Sequence, residues 1–139
     1  MKKIYFLLAF TLICSYASSQ TLLIYGGKNH KTYLGCMNCG KYENSSIWNA
    51  YGDNGSKYNA NSIWNKYGNY GGQYSQDSPF NQYASNPPIL VDSEGNFYGY
   101  FTANKYHEKR ATSKLALFLV QYWEKIGEDV SENYDTIFK

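Results

Sequence analysis

A seven-residue segment recurs at a spacing of 16 residues, and this recurrence constrains the fold more than any other feature of the chain. The sequence SIWNAYG at residues 46–52 returns as SIWNKYG at 62–68 and, altered, as SPFNQYA at 78–84. The tripeptide ahead of each copy recurs at the same spacing, as GKY at 40–42, SKY at 56–58 and GQY at 72–74. A fixed period is typical of stacked structural units, although so few copies are rarely a free-standing array.

Each copy carries the residues expected of a short turn of helix. Serine is a preferred N-cap because its hydroxyl accepts backbone N–H groups, and proline, as at Pro79, favours the first helical position. Glycine is common just after a helix, and Gly52 and Gly68 end the first two copies. The Gly-, Asn- and Ser-rich stretches between the copies predict loops. We therefore predict aromatic-rich repeat loops with short helical turns.

The repeat aromatics allow two interpretations. In the first, the Ile-Trp or Pro-Phe pair of each copy faces inward and the following tyrosine packs beside it. In the second, the periodic Trp, Tyr and Asn side chains line a surface that stacks on sugar rings and hydrogen-bonds to them. Both hold if the tryptophans lie inside and some tyrosines outside. The candidate binding residues are Trp48, Tyr51, Trp64, Tyr67, Tyr70 and Tyr83.

Two similar hairpins are predicted to flank the repeat. Apolar segments at 22–25 and 31–35 surround the turn 26–30, and segments at 88–91 and 96–102 surround the turn 92–95. The motifs YLG at 33–35 and FYG at 97–99 lie 64 residues apart, which is four repeat lengths. We expect the two hairpins to pair into one small antiparallel sheet that carries the repeat loops.

The last part of the chain predicts a helix. Thr112 or Ser113 is a suitable N-cap, and apolar residues follow helical spacing as far as Ile126, with Gly127 as a stop signal. Its wide apolar face is predicted to pack on the sheet. The expected fold class is α+β, with a hairpin-plus-repeat domain at 20–110 and a helical extension of the same domain at 111–139.

Residues 1–19 have the pattern of a cleavable signal peptide. Lys2 and Lys3 precede an apolar run at 4–13, and the small residues at 17–19 predict cleavage before Gln20. The alternative is a lipoprotein anchored through Cys14, which Ile13 disfavours because a small residue normally precedes a lipidated cysteine. The apolar run is too short for a permanent membrane helix, so we expect a periplasmic or secreted protein without a transmembrane span in its mature chain.

The charge of the mature chain bears on its partners. Removal of Lys2 and Lys3 with the signal peptide lowers the formal net charge from +2 to zero. Nucleic-acid binding needs a clustered excess of Lys and Arg, so no nucleic-acid partner is expected. An uncharged surface rich in Tyr and Asn favours a glycan, the cell wall or a protein surface as the target. The oligomeric state stays open.

Cys36 and Cys39 form a Cys-x-x-Cys pair in a chain predicted to enter an oxidising compartment. A disulfide or a pair of packed thiols is expected. The less favoured alternatives are a redox-active site, which normally occupies a strand-to-helix junction, and a zinc site completed by His30 and His107. Cys39 occupies the repeat register of Gly55 and Gly71, so the pair belongs to the edge of the repeat.

The segment from Tyr33 to about Arg110 resembles a family of uncharacterised bacterial exported domains. The resemblance rests on LGCMNC at 34–39, the tandem SIWNxYG units, ASNPP at 84–88 and VDSEGNFYGY at 91–100. It covers about two-thirds of the mature chain and implies an accessory extracytoplasmic domain, without assigning an activity or catalytic residues. The helical tail lies outside the pattern.

The prediction is therefore a non-catalytic binding or accessory module that needs no cofactor. One alternative is a small secreted hydrolase that uses Asp92 and Glu94, with His107, Glu108 and Arg110 near them in sequence. Another is a calcium site in the oxygen-rich segments 53–55 and 92–95, although neither has the spacing of an EF-hand loop. Acidic residues are common in hairpin turns for local reasons, which weakens the hydrolase alternative.

Overall fold

The computed structural model describes residues 20–139, so the predicted signal peptide and Cys14 lie outside the described residues. The strands are β1 (Leu23–Gly26), β2 (Thr32–Cys36), β3 (Ile89–Val91) and β4 (Phe97–Tyr100). They form one antiparallel sheet in the order β2-β1-β3-β4. Two helices follow, α1 (Lys114–Glu128) and α2 (Val130–Ile137). The predicted α+β class is confirmed.

The two hairpins share a geometry that their sequences predict. Gly35 and Gly99 have φ values of 116° and 110°, in a region that side chains rarely adopt. At both positions a Cβ atom would come within 2.7 Å of a neighbouring residue. The first strands of the hairpins pair with each other at the centre of the sheet, where Ile24 lies opposite Leu90. The two similar hairpins are thus joined by pairing between their first strands, β1 and β3.

The segments between the hairpins form three coils, which we number coil 1 (40–55), coil 2 (56–71) and coil 3 (72–87). Each coil is a chain of turns closed by local backbone hydrogen bonds, as from Ser62 to Asn59, Asn65 to Ser62 and Gly68 to Asn65. The same bonds occur 16 residues earlier, at Ser46, Asn49 and Gly52. None of these turns extends into a helix in residues 40–87. The predicted helical turns are therefore isolated hydrogen-bonded turns.

Polar side chains close the turns of every coil. The buried Ser46, Ser62 and Ser78 accept the backbone N–H two residues ahead, rather than one turn ahead as an N-cap does. Three asparagines donate to a carbonyl six residues earlier and accept the N–H of the tyrosine two residues later. They are Asn49, Asn65 and Asn81. These asparagine side chains are therefore committed to the turns.

A column of buried aromatic rings runs through the coils. The ring centroids of Trp48 and Trp64 lie 5.7 Å apart, and those of Trp64 and Phe80 lie 6.4 Å apart. The Trp64 indole N–H donates to the carbonyl of Ile47 in the preceding coil, at 2.6 Å. The Trp48 indole donates in the same way to Met37 at 2.7 Å. We call Trp48, Trp64 and Phe80 the aromatic column, and it confirms that the repeat Trp and Phe rings face inward.

The helices cover this column. Ser113 caps α1 as predicted, accepting the N–H of Ala116. Trp123 of α1 stacks on Phe80 with ring centroids 4.6 Å apart, and Tyr134 of α2 lies against Trp48 at 5.7 Å. The helix was predicted to pack on the sheet, whereas these aromatic contacts are with the coils. Helix α1 also continues through Gly127, and α2 was not predicted.

Within residues 20–139, neither helix combines the length and the apolar character that a membrane span requires.

Replacement of Gly71 by alanine tests the coil packing. An added Cβ would lie 2.6 Å from the carbonyl oxygen of Ile63 and closer still to that of Asn65, so backbone must move. We expect Gly71→Ala to lower the free energy of unfolding by about 1–3 kcal/mol in chemical denaturation. In Gly40→Ala, the matched control, the new Cβ would meet only side-chain atoms at ordinary van der Waals distance, from Glu43 at 3.5 Å and from Tyr134 at 3.9 Å. Equal stability of the two variants would contradict this packing.

Candidate functional site

Two rows of exposed tyrosines follow the coils on the outside. Within each row the tyrosines lie 16 residues apart, and all six side chains are 80–99% exposed. We call them the tyrosine rows: row A is Tyr42, Tyr58 and Tyr74, and row B is Tyr51, Tyr67 and Tyr83. Large rings exposed together on one protein commonly mark an interaction surface.

Local structure explains why the row B tyrosines point outward. Each stands three residues after a ring of the aromatic column, in a chain whose turns reverse direction every few residues. The asparagine two residues before the tyrosine accepts its backbone N–H, at 3.1 Å for Tyr67. The backbone is thus fixed while the ring stays free. The same bond forms from Tyr106 to Asn104, beyond the coils.

Lysines accompany three of the tyrosine rings. Lys57 lies over the Tyr58 ring at 5.7 Å and Lys66 over the Tyr67 ring at 5.8 Å, within cation–π range. Lys41 lies over Tyr42 at 5.3 Å and pairs with Asp135 of α2 at 2.7 Å. The hydrogen bond to Asp135 raises the pKa of Lys41 above its ordinary value. The aromatic surface therefore carries scattered positive charge.

An open groove of about 770 Å³ lies between the tyrosine rows and helix α1. Its coil side is lined by Tyr58, Lys66, Tyr67, Gln73 and Tyr74, among others. Its helix side is lined by Trp123, Glu124, Gly127 and Glu128, and Trp64 also lines it. A second groove of about 290 Å³ adjoins it and includes Tyr51 of coil 1. The two grooves share Lys57, Tyr58, Gly127 and Glu128.

The structure divides the predicted binding residues between the core and the surface. Trp48 is completely buried and Trp64 is 5% exposed, so both belong to the aromatic column. Tyr70 is partly buried and packs against the core, where its ring lies beside Gly26. Tyr51, Tyr67 and Tyr83 are exposed, and the first two line the grooves. The tyrosines, rather than the tryptophans, are thus available to a ligand.

Sequence reasoning missed several groove residues. Tyr58 and Tyr74 recur with the 16-residue period, so the same pattern that selected Tyr51 and Tyr67 could have found them. The helix residues Trp123, Glu124 and Glu128 gave no such signal, because their place in the groove depends on how α1 packs against the coils. The sequence also did not show that the side chains of the repeat asparagines form hydrogen bonds with the backbone of their own turns.

Cys36 and Cys39 form a disulfide. Cys36 ends β2 and is fully buried, and coil 1 begins directly after Cys39. A disulfide leaves neither sulfur as the thiolate that zinc binds. The two histidines lie elsewhere and both contact Tyr100, with ring centroids 5.8 Å from it for His30 and 4.4 Å for His107. In residues 20–139, no cluster of three or more His, Cys, Asp or Glu side chains is suited to a metal ion.

Asp92 is a buried carboxylate with four donors. Its Oδ1 atom accepts the backbone N–H groups of Glu94 and Asn96, and its Oδ2 atom accepts the Asn96 amide and the Tyr98 hydroxyl. These bonds, the one from the Asn96 side chain above all, lower the pKa of Asp92 from 3.8 to about 2. The bond to Asp92 in turn raises the pKa of Tyr98. Asp92 therefore closes the second hairpin, while Glu94 remains exposed.

Comparisons of the chain with protein-family models, with curated proteins and with solved structures find no match. The residues and their geometry therefore carry the functional argument.

The lowered pKa of Asp92 predicts a pH dependence of stability. Because the folded pKa lies below the unfolded value, the carboxylate stabilises the fold above about pH 4, and this contribution is lost as the pH falls toward 2. Urea unfolding from pH 7 to pH 2 should find Asp92→Asn less stable than the original chain at pH 7. The difference should shrink toward pH 2. Asp53→Asn, which removes an exposed carboxylate, is the control, and a constant difference across the range would contradict the role of Asp92.

Proposed function

We propose that the protein is a non-catalytic extracytoplasmic binding module that holds a neutral, polar target on its tyrosine rows. The observation that carries the proposal is the exposure of six tyrosines, 80–99% each, at repeating positions of the coils. A tyrosine ring offers an apolar face for stacking and a hydroxyl for hydrogen bonding. Such side chains suit sugar rings, which have apolar faces and hydroxyl edges.

Burial of the aromatic column supports the proposal. Trp48 and Trp64 are already used in the core, so the coils stay together without help from the outer rings. Six large rings kept in water contribute little to stability. Because folding does not require these rings, their exposure is best explained by a partner that covers them.

The expected compartment rests on two further features. The pattern of residues 1–19 predicts export, and the disulfide between Cys36 and Cys39 is of a kind that persists in oxidising compartments. A glycan or cell-wall polymer is then within reach of the module. A glycan is favoured over a protein partner because the rings are interspersed with hydrogen-bonding side chains such as Gln73 and Lys66.

Retention on immobilised polysaccharides tests this proposal. We expect the chain from Gln20 to Lys139 to be retained by at least one member of a panel of cell-wall and neutral polysaccharides in affinity electrophoresis. The triple variant Tyr51→Ala, Tyr67→Ala, Tyr83→Ala should bind at least about tenfold more weakly, since each aromatic contact contributes roughly 0.5–1.5 kcal/mol. Its circular dichroism should not change, because these rings lie outside the core.

Tyr106→Ala is the matched control. Tyr106 is 92% exposed and has the same asparagine bond, yet it lies outside the tyrosine rows. Its removal should leave retention unchanged. Failure of every polysaccharide to retain the chain would refute the proposal, as would equal retention of the triple variant and the original chain.

A further inference from the structure

The two grooves beside α1 form one path that crosses all the coils. Tyr51 of coil 1 lines one end, Tyr58 of coil 2 lines the shared middle, and Tyr74 of coil 3 lines the other end. The opposite wall is continuous, since Gly127 and Glu128 line both grooves. The path therefore runs along the direction in which the coils stack.

We propose that this path binds a linear, uncharged oligosaccharide in an extended form, with successive sugars on successive coils. The inference rests on the proposed function and specifies its ligand. A path that presents a tyrosine from each coil suits a polymer whose own units repeat. A single sugar would use only a part of it.

The charges along the path argue for an uncharged ligand. Lys57 and Lys66 stand on the coil side, and three acidic side chains stand opposite them: Glu124, Glu128 and, in the smaller groove, Asp129. The lining therefore has no excess of positive charge, and a polyanion in the path would meet three carboxylates without enough lysines to offset them. Oligosaccharide hydroxyls can donate to the glutamates and accept from the lysines at once.

Aromatic rings provide the apolar part of the path. Trp123 stacks on Phe80 of the aromatic column and also lines the larger groove, together with the slightly exposed Trp64. The volume of this open groove, about 770 Å³, lies within the range of small-molecule sites. Ring faces surrounded by a few polar groups are the usual composition of such sites.

Gly127 is a second, independent indication. It lies within α1, where glycine is less stable than alanine because it loses more backbone freedom on folding. Its φ is not positive, and an added Cβ would meet Trp64 Cε3 at 3.5 Å, which is ordinary van der Waals contact. Packing therefore does not require glycine here. A side chain at this position would instead stand in the shared part of the two grooves.

Isothermal titration with oligosaccharides of defined length tests the inference. The probes are β-1,4-linked glucose and N-acetylglucosamine oligomers of one to six units, with oligogalacturonate as the anionic counterpart. We expect the affinity for at least one neutral series to rise about tenfold or more between one and four units and then to level off. Oligogalacturonate of the same length should bind more weakly.

Two variants locate the site. Gly127→Ala should raise the melting temperature and yet weaken binding of the longer oligomers severalfold, a combination that a merely structural glycine would not give. Tyr58→Ala should weaken binding about tenfold, while Tyr106→Ala should not change it.

Affinity that is independent of length, preference for the anionic series, or absence of binding to all three series would overturn the inference. So would unchanged binding by both Gly127→Ala and Tyr58→Ala. Retention on the polysaccharide panel with length-independent affinity would reject this inference alone, whereas loss of all retention would reject the proposed function with it.

Discussion

The aromatic column is the interaction on which the rest of the structure depends. The backbone hydrogen bonds of residues 40–87 close turns within a coil, join it to the start of the next, or link the outer coils to Cys36 and Ala103, so no strand ladder ties one coil to another. Stacking must therefore come from side chains. The indoles of Trp48 and Trp64 supply it with a hydrogen bond to an earlier backbone carbonyl and with buried ring area. Loss of a buried tryptophan typically costs 3–5 kcal/mol, a large part of the stability of a domain this size.

The aromatic column also determines that the repeat tyrosines lie on the surface. Because the ring of each copy points inward, and because the asparagine that follows it binds its own turn, the next tyrosine has no place in the core. The same local geometry recurs in each coil and aligns the tyrosines into rows. Helix α1 then covers the column through Trp123 and, by lying beside the rows, creates the grooves. The same repeated turn thus directs the Trp and Phe rings into the core and the tyrosine rings onto the surface that forms the candidate site.

Local patterns predicted much of this fold. The hairpins could be placed because turn residues and apolar alternation are local signals, and the similarity of Gly35 to Gly99 reflects the same positive φ. The inward orientation of the tryptophans was one of the two interpretations that the spacing allowed. The position of α1 could not be predicted, since its apolar face fits a sheet or a column of rings equally well. Helix α1 ends at Glu128, one residue beyond the stop expected at Gly127, which is within the usual uncertainty of a helix end. The groove depends on the packing of α1, so the third of its lining that α1 supplies was invisible in the sequence.

Hydrogen exchange of the three indole N–H groups, followed by NMR, tests the central claim most directly. The indoles of Trp48 and Trp64 are buried and bonded to backbone carbonyls, whereas Trp123 is only partly buried and its indole donates no hydrogen bond within residues 20–139. We predict slow exchange at Trp48 and Trp64 and fast exchange at Trp123. Exchange at Trp48 and Trp64 as fast as at Trp123 would mean that the tryptophans do not form a buried column, and the account would be wrong.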